Sequence, residues 1–497
     1  MEIQHNPKYR AALHVARHLA VLGHQAYFAG GCVRDLLLGR EPEDYDVATS
    51  ATPQMVQTAF TRTESVGAHF GVVLVIDKEN KQNESKKEAE QNENKNNDDG
   101  SRIVTEVATF RSDGAYSDGR RPDAVRFSTD PREDAVRRDF SINGMLLDVL
   151  RYERGDRLVD CVLDYVGGVS DLDAGIVRAI GDPHVRFAED KLRMLRAVRF
   201  AARLNFAIAP RTMAAIREQA AEIHAVSAER VRDELTRILT EGAARRGFEL
   251  LDESGLLVQI LPEIARMKGV EQPPQYHPEG DVWIHTLLLL EHLKKNKQSN
   301  GNIAKQSDGN IAASETLAWG MLLHDVGKPA TFTPPDPAKP GDRIRFNGHV
   351  EVGMAIARTI LNRLRFSNED CAQIIALIQH HMQFADVMKM KQSTLKRFLR
   401  LPKFDEHMAL HRADVLSSNK NLELYDYAAA KLEELGKEQI RPKLLVTGED
   451  LIAAGYKPGP GFREMLLAAE DAQLEGEVTT KAEALALIAE SFSSGSA

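Results

Sequence analysis

The stretch that decides the fold runs from Phe28 to Thr49 and reads FAGGCVRDLLLGREPEDYDVAT. It joins a glycine-rich turn, Gly30-Gly31, to two carboxylates, Asp44 and Asp46, that are separated by one residue. If this end of the stretch is extended, successive side chains alternate between faces, so both carboxylates point the same way. Two converging carboxylates suit Mg²⁺, which organises the phosphates of a nucleoside triphosphate. The pattern predicts a nucleotide-transfer site.

The glycine turn strengthens that prediction. Gly30 and Gly31 allow backbone amides to approach phosphate closely, and they open an apolar segment from Val33 to Leu38 that carries Arg34 toward the same point. An isolated pair of aspartates is weak evidence, because such pairs also occur in solvated turns. The combination is far more specific, and we predict that Gly30, Gly31 and Arg34 bind nucleotide.

Composition describes a globular protein of several domains. The chain has 497 residues, of which 43% are hydrophobic and 28% charged. No apolar run approaches the length of a membrane span, and the N-terminus lacks a signal pattern, so we expect a cytoplasmic protein without a membrane partner. Its three cysteines lie far apart, which argues against disulfides or a cysteine zinc site. No pattern specifies an oligomeric state.

Charge is segregated along the chain. The net charge is -9, yet basic residues outnumber acidic ones between Arg178 and Arg203. This stretch is interpreted as a basic face for nucleic acid, and a solvated helix face is the alternative.

Periodicity predicts an α/β head followed by a mostly helical remainder. We expect helices over residues 8–22 and from Thr52-Pro53, with strands over 25–28, 71–76 and 103–110. Two low-complexity stretches, 78–101 and 294–314, interrupt this pattern. The first is predicted to be a disordered hairpin extension and the second a solvent loop.

Two further segments carry groups suited to the same reaction. Glu106, on a predicted strand, supplies a third carboxylate that could activate an attacking hydroxyl or complete metal ligation. The segment from Arg137 to Asn143 reads RRDFSIN and places Arg138 and its neighbouring arginine beside the polar side chains of Asp139 and Asn143. This set is suited to triphosphate and ribose contacts.

The segment Glu189 to Phe200, EDKLRMLRAVRF, predicts a base-selecting helix. On a helix Asp190 and Arg193 share one face, with Arg196 one step further. A carboxylate accepts from the exocyclic amine of cytosine or adenine, and a guanidinium donates to the adjoining ring acceptor. Such a pair would accept C and A and reject U and G without a template. The alternative is an intrahelical salt bridge.

Together these segments resemble the motifs of class II tRNA nucleotidyltransferases, the CCA-adding enzymes, and of the related bacterial poly(A) polymerases. The resemblance implies an α+β fold, with a DNA polymerase beta-like nucleotidyltransferase head followed by an all-helical neck, body, HD domain and tail. It also implies that Asp44, Asp46 and Glu106 are catalytic. Arg138 is implied as a phosphate contact, and Arg196 and Arg199 as further nucleotide contacts.

Two segments favour the CCA-adding branch. Val66 to Gly71 reads VGAHFG, whereas the poly(A) polymerase branch tends toward a basic G-R-R-F pattern there. The segment from Arg111 to Pro122 occupies the place of the flexible loop that the family needs for switching from C to A addition.

Histidines in the later chain predict a second metal site. An adjacent His-Asp pair with histidines on both sides and a late aspartate is a ligand set for divalent ions, although buried structural histidines are the alternative. The set resembles the HD phosphohydrolase domain, which implies His285, His324, Asp325 and Asp414 as primary ligands. His349, His380 and also His381 are candidates for holding a second ion.

These observations define five predicted segments: a head over 1–150, a neck over 151–245, a body connector over 246–275, an HD domain over 276–430 and a helical tail over 431–497. The predicted reaction is addition of CMP and AMP from CTP and ATP to the 3′ end of tRNA, with Mg²⁺ in the head and an unidentified divalent metal in the HD domain. A poly(A) polymerase and a metal-dependent phosphohydrolase acting on RNA ends are the alternatives.

Overall fold

The computed structural model describes residues 3–65, 71–78, 102–114, 124–295 and 311–492. Most of both low-complexity stretches lies outside these ranges, as do residues 66–70 of the predicted branch-specific motif and residues 115–122 of the predicted flexible loop. The chain forms two compact units, Met1–Glu234 with Glu249–Ile260, and Leu235–Phe248 with Leu261–Ala497. The five-segment division therefore stays a prediction.

The first unit is built on a seven-stranded mixed sheet whose order is β3-β4-β5-β2-β1-β8-β9. A short hairpin of β6 and β7 and a parallel pair of β10 and β11 accompany it. The strands are β1 (Ala26–Ala29), β2 (Asp46–Thr49), β3 (Thr63–Ser65), β4 (Val72–Lys78), β5 (Arg102–Thr109), β6 (Arg111–Asp113), β7 (Val125–Phe127), β8 (Leu146–Leu147), β9 (Val162–Leu163), β10 (Ile176–Val177) and β11 (Ala207–Ile208).

Helices surround this sheet and form the rest of the unit. Asn6, Thr52, Asp130 and Asp182 each cap a helix that has proline in its first turn, a combination that satisfies free amides and presets φ. The helices are α1 (Pro7–Val21), α2 (Gly31–Leu37), α3 (Pro53–Ala59), α4 (Pro131–Val136), α5 (Val149–Tyr152), α6 (Gly168–Asp173), α7 (Pro183–Glu189), α8 (Leu192–Leu204), α9 (Pro210–Gln219) and, after α10 (Ala228–Thr240) and α11 (Ala244–Glu253), α12 (Leu256–Ile260). The division between the two units falls within α10 and again within α11.

The main sheet includes one strand, β9, that lies after residue 150. Strand β9 pairs antiparallel with β8, with Leu146 opposite Leu163, and so completes the edge of the main sheet. Pairing of two short strands that are distant in sequence is a tertiary event, which no local pattern indicates.

The second unit is helical apart from one parallel pair of two-residue strands among the described residues. Its elements are α13 (Pro262–Ala265), α14 (Val282–Glu291), β12 (Leu293–Lys294), β13 (Ile311–Ala312), α15 (Glu315–Leu323), α16 (Lys328–Thr331), α17 (His349–Arg363), α18 (Asn368–His380), α19 (Gln392–Leu399), α20 (Phe404–Ser417), α21 (Glu423–Ile440), α22 (Gly448–Ala453), α23 (Gly461–Glu475) and α24 (Lys481–Phe492).

The second low-complexity stretch is shorter than predicted. Its two ends form β12 and β13, and Leu293 and Ile311 are both buried, so residues 311–314 are not a solvent loop. Burial of these apolar side chains holds the ends of the stretch together.

Helices α14 and α15 are apolar on nearly all sides and form the interior of the second unit. They bring His285 and His324, both almost fully buried, into that interior. In the part of the chain that the structure describes, no helix is both long and apolar enough to cross a membrane.

Candidate functional site

The three predicted acidic residues of the head lie in one cleft. Strands β2 and β5 are parallel neighbours with Val47 opposite Val107, so Asp46 and Glu106, one residue earlier on each strand, are adjacent. Tyr45 and Val47 are buried while both aspartates are exposed, which confirms the predicted alternation. The adjacent interior strands β2 and β5 therefore gather the carboxylates.

Mutual repulsion makes this cleft suitable for a cation. Loss of water contact beside the strands and the nearby Glu106 carboxylate raise the pKa of Asp46 to about 6. Burial and the Asp44 charge likewise raise the pKa of Glu106, and Arg138 opposes the shift in both cases. A divalent ion would relieve this repulsion, and carboxylate oxygens are the ligands that Mg²⁺ prefers.

The glycine turn lies against Arg138. Gly30 has φ +73° and precedes α2, and a Cβ at this position would lie 3.0 Å from Nη1 of Arg138. The same guanidinium donates from Nη2 to Asp134 at 2.9 Å, a buried partner that sequence analysis missed. Asp134 thus holds Arg138 beside the acidic cleft.

The Arg34 side chain does not point into the site, contrary to the expectation. Its side chain is only 3% exposed, and it donates to both oxygens of Asp35 and, at 2.7 Å, to Asn143 Oδ1. Asn143 in turn lies 3.5 Å from Asp139, which accepts two hydrogen bonds from Arg196. These residues form a buried polar network. In this structure Arg34, Asp139 and Asn143 therefore hydrogen-bond within the protein and stabilise the site.

The predicted base-selecting helix is broken at Asp190. Helix α7 ends there, with Asp190 at φ -148°, and α8 begins two residues later because the Asp190 carboxylate caps it at the amide of Leu192. Asp190 and Arg193 are therefore not on one continuous helix. Leu192, Leu195 and Val198 face the core as predicted.

Each member of the base-selecting pair has a different partner in this structure. Asp190 Oδ2 accepts from Arg230 at 2.7 Å, whereas Arg193 pairs with Glu189 and with the carbonyl of Arg186. The alternative to base selection, an intrahelical salt bridge between Asp190 and Arg193, is not among the ion pairs of the described residues. Arg230 lies on α10, 40 positions from Asp190, so the sequence gives no local signal of this contact.

The basic residues of α8 are paired with acids and do not form an open basic face. Arg196 bonds to Asp139, and buried Arg199 bonds to buried Glu234 at 2.7 Å. The ring of Phe200 lies 5.3 Å from the Arg196 guanidinium and 4.5 Å from that of Arg199. This packing orders both arginines.

Lys8 is a further residue of the acidic cleft that sequence analysis missed. Its Nζ lies 2.7 Å from Asp44 Oδ1 and donates to the carbonyl of Glu43. A lysine near the start of α1 gives no local signal of this contact, because the two residues are 36 positions apart.

The second unit brings six of the predicted histidines and aspartates together in what we call the His-Asp centre, defined as His285, His324, Asp325, His349, His381 and Asp414. Two potential ligand groups lie within it: one of His285, His324 and Asp414, and one of Asp325, His349 and His381. Asp325 links them, because Oδ2 lies 3.2 Å from His324 Nε2 and Oδ1 lies 3.9 Å from Nε2 of both His349 and His381.

Buried polar atoms at this centre fit a metal. The Nε2 atoms of His285 and His324 are buried without a hydrogen-bond partner of good geometry. Burial lowers the pKa of His381 to about 4, so this imidazole is neutral and able to ligate at neutral pH. Neighbouring histidines hold the pKa of Asp325 well below its ordinary value despite its burial. Imidazole nitrogens and carboxylates are a ligand set for divalent transition metals.

His380, predicted as a ligand, lies outside this centre, and His381 takes that position. Adjacent residues on a helix point about 100° apart, so only one of the two can face the centre. The ring of His380 lies instead 5.8 Å from that of His407. The sequence pair His380-His381 left both possibilities open.

Two charged residues border the centre and were missed as site residues. Lys328 Nζ lies 2.7 Å from Asp325 Oδ2 and is 7% exposed. Glu279 Oε1 lies 2.7 Å from His285 Nδ1 and 2.8 Å from His277 Nδ1. Lys328 is three residues from Asp325 and Glu279 six residues from His285, but neither residue type by itself indicates a side chain that is buried next to a ligand.

Family models match three parts of the chain. They are the poly A polymerase head domain over residues 26–178, the RNA and SrmB-binding site of polymerase A over 205–268, and tRNA nucleotidyltransferase domain 2 over 348–489. The first covers the cleft with its three carboxylates.

Curated relatives carry the name CCA-adding enzyme. The protein of Geobacillus stearothermophilus is 38% identical over 333 residues, which are 66% of this chain and 73% of the relative. That of Levilactobacillus brevis is 38% identical over 269 residues, which are 54% of this chain and 59% of the relative. The chain thus spans less than two thirds of the second relative.

Solved structures share the fold. A Bacillus stearothermophilus CCA-adding enzyme in complex with CTP matches with a TM-score of 0.67 and 24% identity, over 98% of each chain. A Thermotoga maritima CCA-adding enzyme complexed with tRNA matches with a TM-score of 0.52 and 16% identity, over 98% of this chain and 96% of that one. Both confirm the predicted fold class of a mixed-sheet head followed by a mostly helical remainder.

Proposed function

The chain belongs to the family of CCA-adding enzymes, and on that premise we propose that it adds CMP and AMP, from CTP and ATP, to the 3′ end of tRNA. The observation that carries this proposal is the gathering of Asp44, Asp46 and Glu106 at the adjacent interior strands β2 and β5, beside Arg138. The cytoplasmic location expected from the sequence is part of the same proposal.

In the proposed reaction Asp44 and Asp46 hold Mg²⁺, which supplies charge neutralisation at the triphosphate when it is bound. Glu106 lies on the adjacent strand and accepts the proton of the attacking 3′ hydroxyl, a role that its raised pKa favours. Arg138, held by Asp134, balances charge on the phosphates. Pyrophosphate then leaves and the tRNA is longer by one nucleotide.

Base choice is assigned to Asp190 and Arg193. The carboxylate accepts from the amine of C or A, and the guanidinium donates to the ring acceptor beside it. In this structure Asp190 pairs with Arg230, and Arg193 pairs with Glu189. In the proposed reaction, nucleotide binding therefore replaces these ion pairs of Asp190 and Arg193 by hydrogen bonds to the base. Asp190 and Arg193 thus keep a polar partner, and neither charge is left buried alone.

Incorporation of labelled nucleotides into tRNA that lacks its 3′ CCA end tests this proposal. We expect three added residues with CTP and ATP together, and none with UTP or GTP. A ladder of added A residues would favour poly(A) polymerase, and no incorporation would contradict nucleotide transfer altogether.

A second activity, metal-dependent phosphohydrolysis at RNA ends, is favoured by the two ligand groups of the His-Asp centre. Two neighbouring metal ions would clamp the attacking and leaving oxygens of a phosphoester, and the six residues of the centre would hold them. The test, with Mn²⁺ present, is phosphate release from RNA that ends in a 2′ phosphate, together with ring opening to a monophosphate in RNA that ends in a 2′,3′-cyclic phosphate.

The adjacent pair His380 and His381 offers a matched control for that test. H381A removes a member of the centre, whereas H380A removes a ring that faces His407 outside it. Phosphate release that is lost in H381A and kept in H380A supports the proposal. Equal behaviour of the two variants contradicts it.

A further inference from the structure

We propose that Glu279 is a positioning residue of the His-Asp centre, which sets the orientation and proton placement of His285. This inference rests on the proposed metal site in the second unit. Glu279 is grouped with His277 and His285 and not with Asp325 or Asp414, and its carboxylate contacts Nδ1 of His285, on the side of the ring opposite the nitrogen that faces Asp414.

The four histidines of the centre are oriented in two different ways. Three of them hydrogen-bond through Nδ1 to a backbone carbonyl three residues earlier: His324 to Met321 at 2.9 Å, His349 to Phe346 at 2.9 Å and His381 to Ile378 at 2.7 Å. A carbonyl only accepts, so each of these Nδ1 atoms carries the proton and each Nε2 presents its lone pair to the centre.

His285 lacks this local arrangement and relies on a side chain. Its Nδ1 lies 2.7 Å from Glu279 Oε1, while its Nε2 lies 3.1 Å from Asp414 Oδ1 on the opposite side of the ring. A carboxylate accepts a stronger hydrogen bond than a carbonyl does, so it fixes the ring and makes the ligating nitrogen more basic.

The position of Glu279 is itself fixed by the fold. Its side chain is 7% exposed, and His277 Nδ1 lies 2.8 Å from the same Oε1 atom. His285 is fully buried on α14, and Glu279 is the acceptor at its Nδ1. Loss of the Glu279 charge would therefore leave His285 Nδ1 without its anionic partner, although Nε2 would still face Asp414.

Binding of Mn²⁺ alone tests the proposal, with the free ion measured by electron paramagnetic resonance. The full chain carries Asp44→Asn and Asp46→Asn throughout, so that the head does not contribute binding. Against this background we compare Glu279→Gln, which keeps the shape of the side chain and removes its charge. We expect the Kd for Mn²⁺ to rise about 10- to 100-fold, as for other partners of metal-bound histidines.

Glu406→Gln is the matched control. Glu406 is a buried glutamate of the same unit, 2% exposed, which accepts from Thr316 and Gln373 and does not belong to the ligand groups. Its loss should leave the Kd for Mn²⁺ unchanged. Circular dichroism monitors folding, and Glu279→Asp, which withdraws the carboxylate by one methylene, decides the matter if Glu279→Gln does not fold.

The outcomes separate the two proposals. Weaker Mn²⁺ binding in the Glu279 variant, with unchanged binding in Glu406→Gln, supports the positioning role. Equal Kd values for Glu279→Gln and the background protein overturn that role and leave the metal site standing. Absence of Mn²⁺ binding in the background protein overturns the metal site, and with it this inference.

Discussion

Replacing Gly30 by alanine should destabilise the head, whereas the same change at Gly31 should not. Gly30 has φ +73°, a conformation that residues with a Cβ rarely adopt, and the new Cβ would lie 3.0 Å from the Arg138 guanidinium. Gly31 is the first residue of α2, and its Cβ would lie 3.6 Å from Arg34, an ordinary contact distance.

Two contributions to the change in the free energy of unfolding have opposite signs. A non-glycine residue held at positive φ costs about 1–3 kcal/mol. Alanine also restricts the unfolded chain, which stabilises the folded state by about 0.4–1 kcal/mol at a compatible site. We therefore expect G30A to lower the free energy of unfolding by about 1–2 kcal/mol, and G31A to leave it unchanged or raise it slightly.

The assay must report on the head alone. Both tryptophans, Trp283 and Trp319, lie in the second unit, so tryptophan fluorescence would follow the other part of the chain. Hydrogen exchange measured by mass spectrometry resolves peptides of β1 and α2, and peptides of the second unit serve as an internal reference. A loss of 1.4 kcal/mol corresponds to about tenfold faster exchange.

G30A should also impair nucleotide incorporation, because the new methyl group displaces Arg138 from the acidic cleft. G31A should keep incorporation close to the wild-type rate. The reasoning would be refuted if β1 and α2 exchanged equally fast in G30A and the wild type, or if the two alanine variants exchanged alike.

Three further predictions concern the head. D46N should abolish CMP incorporation with an unchanged circular dichroism spectrum, while D160N, at an exposed ion pair, should be active; comparable rates in the two variants would exclude the proposed role of Asp46. D190A should raise UTP incorporation relative to CTP, measured with labelled nucleotides, and unchanged discrimination would reduce Asp190 to a helix cap and ion-pair partner. R196A should destabilise the head by about 3 kcal/mol, because it leaves the buried Asp139 carboxylate unpaired, whereas R157A should leave head exchange rates unchanged; equal exchange in R196A and R157A would contradict this.

Features that depend on neighbours in sequence were predicted correctly. The alternation around Asp46, the helix start at Thr52-Pro53 and the helical periodicity of α8 depend on side chains a few positions apart. Such patterns are set by backbone geometry, which repeats every two residues in a strand and every 3.6 in a helix. The residue types of both candidate sites could likewise be identified from side chains that are close together in sequence.

Ion-pair partners were not predictable in this way. In sequence Arg34 is close to the predicted nucleotide-binding glycines. In the structure, hydrogen bonds to Asn143, 109 positions away, and to Asp35 hold its side chain in the interior. Asp190 bonds to Arg230, 40 positions away. Its carboxylate also accepts a hydrogen bond from the amide of Leu192, at the break between α7 and α8 where one continuous helix was expected. Several partners of suitable charge exist in the chain for each arginine, and only packing selects among them.

By itself, therefore, the sequence determined the mixed-sheet head, the helical remainder and the chemical groups of both sites, because local spacing specifies which face a side chain occupies. Only the tertiary structure decided that β9 completes the sheet, that His381 and not His380 faces the His-Asp centre, and that Glu279 holds His285. The first two depend on how elements that are distant in sequence pack against one another, and a difference of one residue turns a helical side chain by about 100°. The third depends on how the chain folds over the six positions between Glu279 and His285.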